Sequence, residues 1–209
     1  MLRASAEERV LEQMRHGASV AVFTLLDASQ AAVPFAYVPA LWDERVVPLC
    51  DHGAPVISFW WDGSAPAGAA PAFADVAEMV RAILEGLRLD AHEVVIAVAL
   101  LESLLAKHGD VVQLFSVRPV LLAVCILALK LTRDAAVSTA CCVRRIEARL
   151  TALTPLLGAR IERQLLEYLH WRVPNDPAVY ERHTLALLAA GAPPGALPPP
   201  VIDIFWLSV

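Results

Sequence analysis

Between residues 73 and 190 the apolar positions recur with helical period. Val76, Met79, Val80, Ile83, Leu84 and Leu87 form a 3.6-residue stripe, which predicts an amphipathic helix with Gly86 near its end. Asp90 then offers an N-cap with Glu93 as its capping-box partner, and the helix it opens runs to about His108, with Gly109 as its C-cap. A third helix starts near Ser116, carries Pro119 in its first turn and ends at Asp134. From Pro119 to Leu129 it is apolar on every face, which predicts a central position surrounded by other helices. Ser138 caps a fourth helix to about Leu150. Thr154 and Pro155 open a fifth, whose stripe is Leu157, Ile161, Leu165 and Leu169 and which reaches Trp171. Val173 and Pro174 break it, and Asp176 with Pro177 opens a sixth to about Leu188. The pattern is all-α, a central apolar helix ringed by amphipathic ones.

The first 72 residues read differently. Acids outnumber bases there, whereas the two balance from Phe73 to Ala190, and prolines at 34, 39, 48 and 55 interrupt any long helix. A short helix over Glu7 to His16, a strand–turn–strand over Val46–Cys50 and Val56–Trp61, and a linker from Gly63 to Pro71 are the elements expected. This segment is taken as an extension that the domain at 73–190 does not need for folding. Residues 191–209 read as a Pro-rich tail with an apolar end.

Composition narrows the class of molecule. With 57% apolar and 19% charged residues in a chain of 209, a sizeable core is available and wholesale disorder is excluded. The mean hydropathy of +0.55 raises the question of membrane insertion. The cleanest apolar run stops at Lys130, too short to span, and the stretch from Gly17 to Trp42 is broken by Asp27, Pro34 and Pro39. Glu7, Glu8 and Glu12 do not suit a secretory signal. An intracellular protein, cytoplasmic or nuclear, without integral membrane insertion is expected. A net charge of −5 does not favour nucleic acid as partner.

Catalytic motifs are missing: there is no phosphate-binding loop, dinucleotide fingerprint, HExxH or GxSxG. The four cysteines, at 50, 125, 141 and 142, form no CxxC pair, and no two of the six histidines stand four apart. No catalytic residue, cofactor or metal is therefore expected. His92 beside Glu93 reads as a surface or capping residue. Arg144, Arg145, Arg149, Arg160 and Arg163 read as a solvated face paired with Glu147 and Glu162, or as a patch for an acidic partner. Lys130, ending an otherwise uncharged helix, serves either as a C-terminal cap or as a single charge presented rigidly to a partner. Glu162, beside Ile161, reads as a rim acid paired with Arg160 or Arg163, or left in solvent.

Three runs resemble the cyclin family. LLAVCILALKLTRD, Leu121 to Asp134, is similar to the third helix of a cyclin box, an apolar small-residue helix ending in a lysine step. VVIAVALLESLL, Val94 to Leu105, resembles the helix before it. IERQLLEYLHWRVPNDPAVYERH, Ile161 to His183, resembles the fifth helix and its exit. The likeness covers roughly Phe73 to Ala190 and is nearest to the single-box group that includes cyclin Y and the yeast phosphate-regulatory cyclins.

That resemblance implies a single cyclin box of five to six helices and a non-catalytic subunit that binds and activates a cyclin-dependent Ser/Thr kinase as a heterodimer. It implies that Lys130 and Glu162 hold main-chain groups of the kinase and that Asp134 lies near the kinase surface. It also implies that Glu102 braces the box internally against an arginine of the first helix, Arg81 or Arg88. The chain departs from the pattern after the lysine, where Leu131-Thr132-Arg133 replaces an acidic, aromatic stretch. A cyclin-fold adaptor with no kinase is the alternative reading.

Overall fold

The computed structural model describes residues 5–32, 73–107, 117–133, 136–147, 155–173 and 176–192. Among these every regular element is an α-helix: α1 (Ala6–Ala32), α2 (Phe73–Leu87), α3 (Ala91–Lys107), α4 (Val117–Thr132), α5 (Thr139–Glu147), α6 (Pro155–Tyr168) and α7 (Pro177–Ala190). The expected strand pair over 46–61, the linker at 63–71 and the tail from 193 lie outside the described residues, as do Gly109, Ser116 and Thr154.

Local chemistry sets the helix ends. Ser5 and Glu8 form a capping box at the start of α1: Ser5 N–H donates to Glu8 Oε2 (2.6 Å) and Glu8 N–H to Ser5 Oγ (3.1 Å). Asp90 and Glu93 do the same for α3, at 2.8 Å in both directions. Asp176 Oδ1 accepts the Ala178 N–H (2.9 Å) ahead of Pro177 in α7. At the end of α2, Leu89 N–H reaches Leu84 O (2.9 Å) and Arg88 N–H reaches Glu85 O (3.0 Å), a Schellman-type closure. The residue in the left-handed conformation is Arg88, with φ of 57°, and not glycine. Gly86 lies near the end of this helix as expected, one residue before its last, where an added Cβ would stand 3.3 Å from Ile146 Cγ1.

Two helices share the centre. Every residue from Val120 to Leu129 of α4 is buried, as its uninterrupted apolar run requires. Beside it α3 buries Val94, Val95, Val98, Leu100, Leu101 and Leu104, and packs against α1, α4, α6 and α7. Helix α4 meets α2, α3 and α6, and α5 lies across α2 and α6.

Helix α1 corrects the reading of the N-terminal segment. It is 27 residues long, not a short turn from Glu7 to His16, and it packs on α2, α3 and α7. Met14, Ala18, Ala21, Val22 and Leu25 belong to the same core as α2 to α7. The Phe73 ring stacks edge-on against His16 and Phe23 of α1, at 5.9 and 5.5 Å between centroids. The core thus crosses the compositional boundary at residue 72. Small residues make this face of α1 weakly hydrophobic in sequence while allowing close approach. A Cβ on Gly17 would stand 2.1 Å from Leu187 O, and one on Gly191 would stand 1.9 Å from Gln13 O. Gln13 Nε2 donates to Leu188 O (2.7 Å) across this contact.

Candidate functional site

The last turn of α4 carries charge out of the core in two directions. Lys130 turns toward α5 and α6, whose close approach depends on Gly158: a Cβ there would lie 2.7 Å from Val143 Cγ2 and 3.5 Å from Thr139 Cγ2. One helical turn after Gly158, Glu162 falls on the same face and meets Thr139, the first residue of α5. Lys130 Nζ donates to Glu162 Oε1 (2.5 Å) and to Thr139 Oγ1 (2.8 Å), and Thr139 Oγ1 donates to Glu162 Oε2 (2.5 Å). The three side chains close a ring in which the hydroxyl is both donor and acceptor. The Lys130 side chain is 32% exposed and that of Glu162 11%, so the ring opens to solvent on its lysine side.

The residue pattern marks Lys130 and Glu162 separately and only the resemblance pairs them; the fold brings the two side chains into contact. It corrects the partner and setting of Glu162, which is buried and bound to Lys130 and Thr139. Arg163 instead pairs with Glu167 of its own helix (3.1 Å). Asp134 lies outside the described residues. Thr139 had no assigned role, because Ser138 already accounts for the helix start: its Oγ accepts the Cys141 N–H (3.4 Å) and its carbonyl the Cys142 N–H (3.0 Å).

Arg133, three residues after Lys130, ties the same helix end to the α2–α3 corner. Its Nε and Nη2 donate to Glu93 Oε1 (2.5 Å) and Oε2 (2.9 Å), and Nη2 also reaches Arg88 O (3.1 Å). Thr132 Oγ1 adds a contact to Glu93 Oε1 (3.3 Å). Burial pushes the Glu93 carboxyl up. The Arg133 hydrogen bonds, the Asp90 backbone N–H and the Arg133 charge outweigh that effect and hold it below its ordinary 4.5. This second task of a capping-box glutamate, with a partner 40 residues away, leaves no local trace in sequence.

Glu102 is braced by histidine. His183 Nε2 lies 2.5 Å from Glu102 Oε2, and its Nδ1 lies 2.7 Å from Val179 O in its own helix. The brace therefore joins α3 to α7, whereas Arg81 and Arg88, proposed as partners on the first helix of the motif, are both exposed. A lone histidine gives no spacing signal from which this pairing can be read. His92 rests on the Tyr180 ring, at 4.9 Å between centroids.

Chemically, the Lys130 ring suits recognition. An ammonium has three N–H donors, and two are used within the ring. Among the described residues, one donor and the remaining carboxylate lone pairs have no partner within the ring and suit a ligand that carries both an acceptor and a donor, as a peptide main chain does. The two buried thiols, Cys125 and Cys142, offer little nucleophilicity by comparison. Burial, and then the Glu93 charge, push Cys125 far up, and burial raises Cys142 against the opposing charge of Arg145. Among the described residues no three His, Cys, Asp or Glu side chains converge to hold a metal ion, and no helix is long and apolar enough to cross a membrane. No protein-family model, curated protein or solved structure matched the chain.

Proposed function

We propose that this chain is a non-catalytic regulatory subunit of the single-box cyclin type, which binds a cyclin-dependent Ser/Thr kinase and favours its active conformation. One observation carries the reading. A lysine at the end of a buried central helix and a glutamate 32 residues on, the two positions that the cyclin resemblance marks, meet in one partly exposed ring. Such a ring can hold a main-chain segment whatever side chains that segment bears, because it supplies a charged donor and charged acceptors. Docking one helix-bearing segment of a two-state kinase biases it toward the form in which its own lysine–glutamate pair and metal-binding aspartate are assembled. Phosphoryl transfer stays with the kinase.

The test pairs the purified chain with a panel of monomeric cyclin-dependent kinases and measures both affinity and phosphorylation of a histone-type peptide. Lys130→Ala and Glu162→Ala are each expected to weaken binding by about 2–4 kcal/mol. Their combined effect is expected to be less than additive, since both residues hold one docked element. Glu181→Ala, on the exposed side of α7, serves as control. The proposal fails if wild type binds none of the kinases, or if both variants bind and activate as wild type does.

A further inference from the structure

The ring has a third member. Its position follows from chain geometry, and its role is set by hydrogen-bond accounting. Thr139 is buried at the start of α5. Its hydroxyl is not the N-cap of that helix, since Ser138 Oγ already accepts the Cys141 N–H in the first turn. A hydroxyl has one proton to give. Thr139 gives it to Glu162 Oε2 (2.5 Å) and receives one from Lys130 Nζ (2.8 Å). Each carboxylate oxygen therefore has its own donor, Lys130 on Oε1 and Thr139 on Oε2, and the carboxylate plane is held at two points. Without the hydroxyl, Glu162 is held at Oε1 alone, and the flexible lysine stem can carry the pair into more than one arrangement. The tight seam at Gly158 places the threonine against the glutamate, so its position is built by the α5–α6 packing.

We infer that Thr139 is the positioning residue of the Lys130–Glu162 clamp. Its hydroxyl fixes the carboxylate and directs the remaining Lys130 N–H outward, toward a main-chain carbonyl of the bound segment. The part of this inference that concerns a kinase rests on the proposed function; the part that concerns the ring does not.

Two measurements separate them. The sequence has only one other lysine, Lys107, so a chain labelled with 15N-lysine carries two side-chain ammonium groups, and Lys130→Ala assigns them. In wild type the Lys130 ammonium is expected to exchange slowly with water, held by two hydrogen bonds. Thr139→Val, which keeps the shape and removes the hydroxyl, is expected to speed that exchange and broaden the signal, and Thr139→Ser to restore it. Kinase binding is expected to fall about tenfold in Thr139→Val, in line with a lost hydrogen bond to a charged group, and to stay within about twofold of wild type in Thr139→Ser. Added to Glu162→Ala, Thr139→Val is expected to cost no further affinity, whereas damage to folding alone would add. An unchanged Lys130 signal in Thr139→Val overturns the inference. So does a Thr139→Val chain that binds the kinase like wild type while Lys130→Ala does not. If Lys130→Ala itself leaves kinase binding intact, the proposed function is what fails, and the ammonium signals still decide the role of Thr139.

Discussion

At the scale of single residues, some buried polar groups serve more than one purpose. Glu93 closes the capping box of α3 and also receives both forks of Arg133, and it does so while almost wholly buried. Its folded-state pKa lies below its ordinary 4.5, so it stabilises the fold in its ionised form. That contribution is complete above about pH 4.5 and is lost as pH falls through the lowered folded value. Glu93→Gln keeps the shape but not the charge. It is expected to cost about 1–3 kcal/mol at neutral pH, the range for spoiling a buried charged hydrogen bond, with the partial exposure of Arg133 limiting the loss. It is also expected to flatten the acid limb of the stability curve. Urea unfolding at pH 7, 5 and 4 checks both effects, and an acid limb as steep as in wild type would remove Glu93 as its source.

At the scale of elements, the contact of α1 with α7 shows how backbone proximity replaces side-chain bulk. Gly17 and Gly191 let the first helix and the end of the last approach until their main-chain atoms touch. Gly17→Ala would place a methyl carbon 2.1 Å from a backbone oxygen, which no side-chain rotation relieves. A loss of about 1–3 kcal/mol is expected, the usual cost of overpacking, even though alanine favours the helix by about 1 kcal/mol. Gly86→Ala is the contrasting case. Its Cβ would meet only the Ile146 side chain at 3.3 Å, which can shift slightly, so the helical gain should leave stability unchanged or raised. Thermal melting of the two variants compares them directly, and equal Tm values would show that the α1–α7 seam is looser than the geometry states.

For the whole molecule the consequence is that the helical domain begins before residue 73. Burying Met14, Val22 and Leu25 contributes on the order of 5–8 kcal/mol by apolar area, comparable to the entire net stability of a domain. A chain starting near Pro71, earlier expected to fold alone, would expose the faces of α2, α3 and α7 that α1 covers. It is expected to melt without cooperativity or to aggregate. Circular dichroism with a thermal scan of residues 71–192 beside the full chain checks this, and a sharp transition near the full-length Tm would show that α1 is dispensable.

Local rules account for a good part of this fold. The stripe of α2 predicts all six of its buried positions, the unbroken apolar run of α4 predicts burial on every face, and Asp90–Glu93 and Asp176–Pro177 mark helix starts. These are legible because period, capping and proline geometry act within a few residues. The candidate site was half legible. Lys130 stands out as the charge that ends an apolar helix, and only the resemblance pairs Glu162 with it. Tertiary structure decided that the two meet, that Thr139 completes their ring, that His183 and not an arginine braces Glu102, and that α1 belongs to the core. Each of these depends on which helix faces overlap in space. A helix with small residues at its contact face, a lone histidine or a second serine-like residue at a helix start has the same sequence pattern whether or not another helix lies against it. Close approach at Gly17 seats α1 against α7, and close approach at Gly158 seats Thr139 against α6.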